Sequence, residues 1–168
     1  SPVPYGFVIT TPTCREFFEA GNKLPRHLQT EYNVAMKLVE EKMGGGFGDP
    51  ENPLLFSVRS GAPVSMPGMM NTILNLGMND VIAEGLARKT NNPRFAYDSY
   101  RRFIQMFADV VLGVDGHQFE AELDSYKQAH GKTLDTDMEA EDWKAIVDIY
   151  KELVNFPQEP AVQLRQAI

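Results

Sequence analysis

Two short apolar runs flank a loop of small residues, and only helical spacing follows them; no other feature constrains this chain as much. The first run holds Leu54, Leu55, Phe56 and Val58 and stops at Arg59. The second covers residues 73–76. Runs of this length bounded by turn residues suit buried strands, and Ser60, Gly61, Pro63 and Pro67 supply the turn. From Asn79 onward the apolar residues recur at steps of three and four. A mixed beginning followed by helices predicts an α+β chain in two parts, residues 1–77 and 78–168, with the boundary near Gly77.

Helix signals fill the remainder. Phe7, Val8 and Ile9 predict a short strand within residues 6–10. Thr11 as N-cap with Pro12 at the first helical position predicts a helix that carries Phe17 and Phe18 and stops near Gly21. After Pro25, Leu28, Tyr32, Ala35, Met36, Val39 and Met43 share one helical face. Gly44, Gly45 and Gly46 then lack the Lys-Ser/Thr ending of a P-loop and follow a helix instead of opening one, so they read as C-cap and turn. Asn79 or Asp80 starts a helix with Ile82 and Leu86 inward. Asn92 and Pro93 start a longer one with Phe95, Tyr100, Phe103, Phe107, Val110 and Val111 on its apolar side. Gly113 and Gly116 interrupt. Phe119, Leu123 and Tyr126 mark the next helix, ending at Gly131, and Trp143, Ile146, Val147, Tyr150 and Val154 mark another. Pro157 and Pro160 precede a last partial helix.

Arg59 is the residue with most chemical promise. A strand, an arginine and a loop of small residues can present a cation and backbone N–H groups to an anion. Arg offers a rigid fork of donors that matches phosphate oxygens and stays charged at any working pH. Gly61 allows close backbone approach. An ordinary surface loop, with Arg59 paired to a carboxylate, is the alternative. Ser60 and the Gly61 amide are second contacts or simple turn geometry. Residues 65–70, with Met66, Met69 and Met70, form either a flap over an anion or soft packing against a neighbour. Thr72 brings a further hydroxyl. Arg101 and Arg102 follow Asp98 by three and four residues, which favours helix-surface ion pairs. His27, His117 and His130 show no metal spacing and read as surface histidines. The acidic stretch 135–142 lacks the glycine and terminal glutamate of a calcium loop and reads as charge gathered at a helix N-terminus.

Composition narrows the classes. A net charge of −7 and a pI near 5.0 oppose a general nucleic-acid or anionic-membrane surface, while leaving room for a local cationic pocket. Cys14 is the sole cysteine, so no internal disulfide or cysteine-rich metal site forms. No apolar run approaches the ~20 residues that span a bilayer, and no secretory leader is visible. An opening at Ser1 and an end inside a helical pattern predict a piece of a longer protein.

The blocks SVRSGA, SMPGMM and TILNLG, with FGDPENPLL before them, PVPYGFVITT near the start and FAYDSYRRFIQMF beyond, resemble the nucleotide-binding domain of the pyruvate, phosphate dikinase family. They occur in the family's order and together span nearly the whole chain. Water dikinases such as phosphoenolpyruvate synthase share a similar VRSS segment without the MPGMM loop. At position 71 this chain has Asn where the family's MPGMMDT carries Asp, so no Mg²⁺ contact is assigned there.

The resemblance implies a partial ATP-grasp-like domain in residues 1–77 with a helical insertion in 78–168. It implies that Arg59 binds ATP phosphates, with Ser60, Gly61 and Thr72 nearby. It implies an intact phosphotransferase that interconverts ATP, pyruvate and phosphate with AMP, phosphoenolpyruvate and diphosphate. Mg²⁺ and a phosphohistidine on a separate, swivelling domain take part. No catalytic residue or metal ligand falls within this segment, and none of its three histidines is the phosphate carrier. A homodimer in the cytosol, a plastid or another organelle follows for the intact protein. Two other readings are a non-catalytic nucleotide sensor, which binds nucleotide without phosphotransfer, and a helical interaction module, whose partner survives loss of Arg59.

Overall fold

Asparagine caps, prolines and a left-handed glycine mark several of the helix limits. The computed structural model describes residues 2–61 and 71–168. Within them lie α1 (Thr11–Glu19), α2 (Arg26–Met43), β1 (Phe56–Arg59), β2 (Thr72–Leu76), α3 (Asp80–Thr90), α4 (Pro93–Val110), α5 (His117–Ala129), a 3-10 turn (Asp135–Asp137), α6 (Ala140–Leu153) and α7 (Pro160–Ala167). The class is α+β: helices with a small antiparallel two-stranded sheet. Backbone contacts divide the chain into two units, Ser1–Gly46 and Phe47–Ile168. The composition change at Gly77 does not coincide with that division, because Leu76 and Met78 on either side are both fully buried in the core of the second unit.

In the first unit, α1 begins one residue earlier than expected, with Thr10 at the N-cap, and buries no side chain. Residues 6–10 form no strand. Among the described residues of their unit no strand forms, so the segment has no ladder partner there to pair its N–H and C=O groups, and Val8 is 85% exposed. Helix α2 buries Leu28, Tyr32, Met36 and Val39, as the spacing predicts, whereas Met43 at its end is exposed. Gly44 closes it in the left-handed conformation (φ 69°), its N–H reaching the Glu40 carbonyl at 2.9 Å. That is the C-cap role expected of the glycine run.

In the second unit, the Asn79 side chain accepts the Ile82 N–H at 2.7 Å and opens α3. Asn92 does the same for α4 through the Phe95 N–H at 3.1 Å. Helix α4 is the centre. It packs against α3, α6 and β2 and buries Tyr100, Phe103, Ile104 and Phe107 together with Phe119, Met138, Trp143, Ile146 and Tyr150 from the following segments. Phe95, expected on this apolar side, is half-exposed at the first turn. Gln163 of α7 is fully buried and ties the segment after β2 in place. It accepts the Gly77 N–H at 3.0 Å and donates to the Met78 and Pro157 carbonyls, both at 2.8 Å.

Candidate functional site

The two strands bring two of the four residues of interest, Arg59 and Thr72, together. In the antiparallel ladder Arg59 stands opposite Thr72 and Val58 opposite Ile73. Opposed residues on paired strands project to the same face, so the guanidinium and the Thr72 hydroxyl share one. Ile73 is buried and anchors the other face, while Arg59 is exposed and Thr72 half-buried. No ion pair to Arg59 is found among the described residues, in contrast to Arg88, Arg101 and Arg102. The alternative of an arginine locked to a carboxylate is therefore not what these residues form.

Ser60 follows directly. Its N–H donates to the Asn71 carbonyl at 3.1 Å, and its hydroxyl lies 3.3 Å from the same oxygen. Both donors thus close the base of the loop, and the hydroxyl reaches a ligand only by turning away from Asn71. Gly61 is exposed, with open space where a Cβ would stand. The 65–70 flap lies outside the described residues.

The other charged candidates have structural occupations. Arg101 is buried between Asp98 (2.8 Å) and Asp135 (2.9 Å), with its guanidinium 4.3 Å from the Trp143 ring centroid. Arg102 pairs with the same Asp98 at 3.1 Å. The expected ion pairs form, and the helix spacing foretold Asp98 but not Asp135 or Trp143. His27 lies 3.3 Å from Glu16 and His117 3.5 Å from Glu120, and His130 stacks on Tyr126. In the acidic stretch, Asp137 accepts the N–H groups of Thr133 and Leu134, and Asp142 that of Glu139. These backbone donors come first among the causes that hold both carboxyls below the usual carboxylate range. Burial would raise Asp135, but the Lys127 hydrogen bond and the charges of Arg101 and Lys127 outweigh it, so this carboxyl too sits low. Among the described residues no three His, Cys, Asp or Glu side chains converge on a point where a metal ion would sit.

Sequence reasoning missed two residues that shape this region. One is Gln163, a polar side chain in an otherwise ordinary helix, and the other is Asn75, which adopts a positive φ of 61° inside β2. An asparagine between two apolar residues in a short strand is the available signal for the second. Among the described residues, no helix is long and apolar enough to cross a membrane.

Fold and hairpin together define an α+β chain that carries an exposed arginine, beside a threonine, at the end of a strand pair rooted in a helical core. No family model matches the chain. Among curated proteins it is similar to the pyruvate, phosphate dikinase of Clostridium symbiosum, 51% identical over 174 residues that cover 99% of this chain and 20% of the relative. It is likewise similar to that of Giardia intestinalis (51% over 173 residues, 99% and 20%) and to the chloroplastic enzyme of Mesembryanthemum crystallinum (48% over 172 residues, 99% and 18%). The chain belongs to the pyruvate, phosphate dikinase family. It spans about a fifth of the length of these relatives.

Proposed function

We propose that this chain is the front portion of the ATP-binding domain of a pyruvate, phosphate dikinase, ATP-grasp-like in fold, and that Arg59 holds the phosphate chain of the nucleotide. The intact protein would be a phosphotransferase that interconverts ATP, pyruvate and phosphate with AMP, phosphoenolpyruvate and diphosphate through a phosphohistidine on another domain of the same chain. Mg²⁺ would be held by residues outside this segment. A homodimeric enzyme in the cytosol or an organelle belongs to the same reading. The division at residue 77 is then one of role, with residues 1–77 on the nucleotide side and 78–168 as helical support.

One observation carries the reading. In a chain of this family, Arg59 of the VRSG segment stands exposed beside Thr72 at the end of the hairpin, without an ion pair among the described residues. Its forked donors and permanent charge suit phosphate oxygens. In phosphoryl transfer the protein contributes chiefly position and charge compensation. Arg59 would stabilise charge that builds on the phosphate chain as the histidine attacks. Thr72 adds a hydroxyl to the same face, and the Gly61 amide lies in reach of a backbone-lined anion site.

In the intact enzyme, Arg59→Ala is expected to raise the nucleotide KM by about 10- to 100-fold, the value of one charge-assisted contact. Arg59→Lys should recover part of the loss, since it restores the charge without the fork. An unchanged nucleotide KM in Arg59→Ala overturns the assignment. The isolated 168-residue piece should neither hydrolyse ATP nor phosphorylate itself. Tight ATP binding by that piece, abolished by Arg59→Ala, would show that it is self-sufficient.

A further inference from the structure

The ladder between β1 and β2 is irregular in a way that bears on Arg59. Phe56 pairs with Leu76 and Val58 with Ile73, so two steps along β1 match three along β2. The surplus residue lies between Ile73 and Leu76, where Asn75 is left-handed at φ 61°. Side chains alternate faces along a regular strand, so residues three apart belong on opposite faces. Ile73 and Leu76 are three apart, yet both are buried, at 3% and 0% exposure. The left-handed residue resets the alternation, as a bulge does. It also starts the turn that follows, since its carbonyl accepts the Met78 N–H at 3.3 Å.

The consequence for the exposed face is direct. An unbulged ladder that kept Phe56 opposite Leu76 would set Val58 against Leu74 and Arg59 against Ile73. A one-residue slip moves every side chain beyond it to the other face. Arg59 would then share a face with a core residue and lose Thr72 as its neighbour. We infer that Asn75 is a positioning residue for the phosphate site: its left-handed bulge sets the register in which the Arg59 guanidinium and the Thr72 hydroxyl stand side by side on the open face. The inference rests on the phosphate role of Arg59 proposed above. Asparagine suits the position because, apart from glycine, it is among the few residues that visit the left-handed region readily.

The test uses the intact enzyme and four variants: Asn75→Gly, Asn75→Val, Arg59→Ala and the double variant Arg59→Ala/Asn75→Val. Glycine accepts the left-handed conformation and a β-branched residue does not. Asn75→Gly should keep the nucleotide KM within about twofold, and Asn75→Val should raise it about tenfold while the pyruvate KM stays put. The double variant should be no worse than Arg59→Ala alone, because a misplaced arginine and an absent one are equivalent. If Asn75→Val does not accumulate as folded protein, Asn75→Ala takes its place, with about a threefold rise expected from its milder conflict. An effect of Arg59→Ala without one of Asn75→Val or Asn75→Ala overturns the role of Asn75 alone. So do additive effects in the double variant, or an equal loss in Asn75→Gly. No effect of Arg59→Ala overturns the phosphate reading and this inference with it.

Discussion

Gly85 shows how far a residue's local reading can mislead. In a helix interior, glycine usually costs about 1 kcal/mol relative to alanine, so a Gly→Ala change is expected to stabilise. Here a Cβ would lie 1.9 Å from the Pro50 carbonyl oxygen and 2.8 Å from its carbonyl carbon. The chain before β1 rests on the bare backbone of α3, and backbone does not yield as a flexible side chain does. Gly85→Ala should therefore destabilise by about 1–3 kcal/mol, the ordinary range for forced overpacking. The measurement is the urea midpoint, which should fall with an unchanged slope. A midpoint equal to or above the parent's would mean that the Pro50 segment moves aside freely. None of this is legible in the sequence, because the partner lies 35 residues upstream and glycine leaves no pattern of its own. Arg101 makes the same point: its i−3 partner Asp98 follows from helix spacing, but Asp135 and Trp143 lie far along the chain. At the candidate site, Arg59 stood out by chemistry. Its place opposite Thr72 depended on Asn75, whose left-handed backbone no spacing rule signals.

At the scale of elements, legibility followed how local the cause was. The starts of α3 and α4 were readable because an asparagine cap acts within three residues. The end of α2 was readable because Gly44 alone supplies the left-handed cap. A strand is different, since it exists only where a second segment completes its ladder, and residues 6–10 have the composition without the partner. Asn79 tests the local kind of cause against a wider one. Its side-chain oxygen caps α3, and its amide nitrogen donates to the Gln158 carbonyl at 2.9 Å, tying the start of α3 to the segment before α7. Asn79→Ala should cost about 1–2 kcal/mol, the cap and the tie together. Asn79→Ser keeps a capping oxygen and loses the donor to Gln158, so it should fall between the parent and Asn79→Ala in thermal denaturation. If the two variants lose the same amount, the tie to Gln158 rather than the cap sets the cost.

At the scale of the whole molecule, the second unit is tied together by carboxylates, and acid should loosen it. Burial alone would raise Asp80, yet hydrogen bonds from Lys151 and Tyr100, the Lys151 charge and the Gln158 amide overcome it and hold the carboxyl low. That single side chain joins α3 to α4, α6 and the segment before α7. Asp135 links Arg101 of α4 with Lys127 of α5 and is also held low. A group whose folded value is depressed contributes stability that is complete above its unfolded value, near 4 for aspartate, and is lost as pH falls through the folded value. Lys151 has the opposite sign. Burial would lower it, but Asp80 and Asp148 raise it, so its contribution is complete below its unfolded value and disappears only in strong alkali. Tyr150 is pushed up to about 12, chiefly by burial, and its contribution too fades only as pH climbs through the alkaline range. Together these define a plateau across neutrality, with a decline that begins as pH drops toward 4 and another well above 9. Urea midpoints measured against pH should trace that shape. Asp135→Asn should be less stable than the parent at neutral pH, and the gap should narrow as pH falls past the ordinary aspartate value and through the parent carboxyl's depressed one. A constant gap between the two down to acid pH would show that Asp135 acts through shape rather than charge, and a parent midpoint that rises below pH 4 would reverse the sign assigned to all four depressed aspartates.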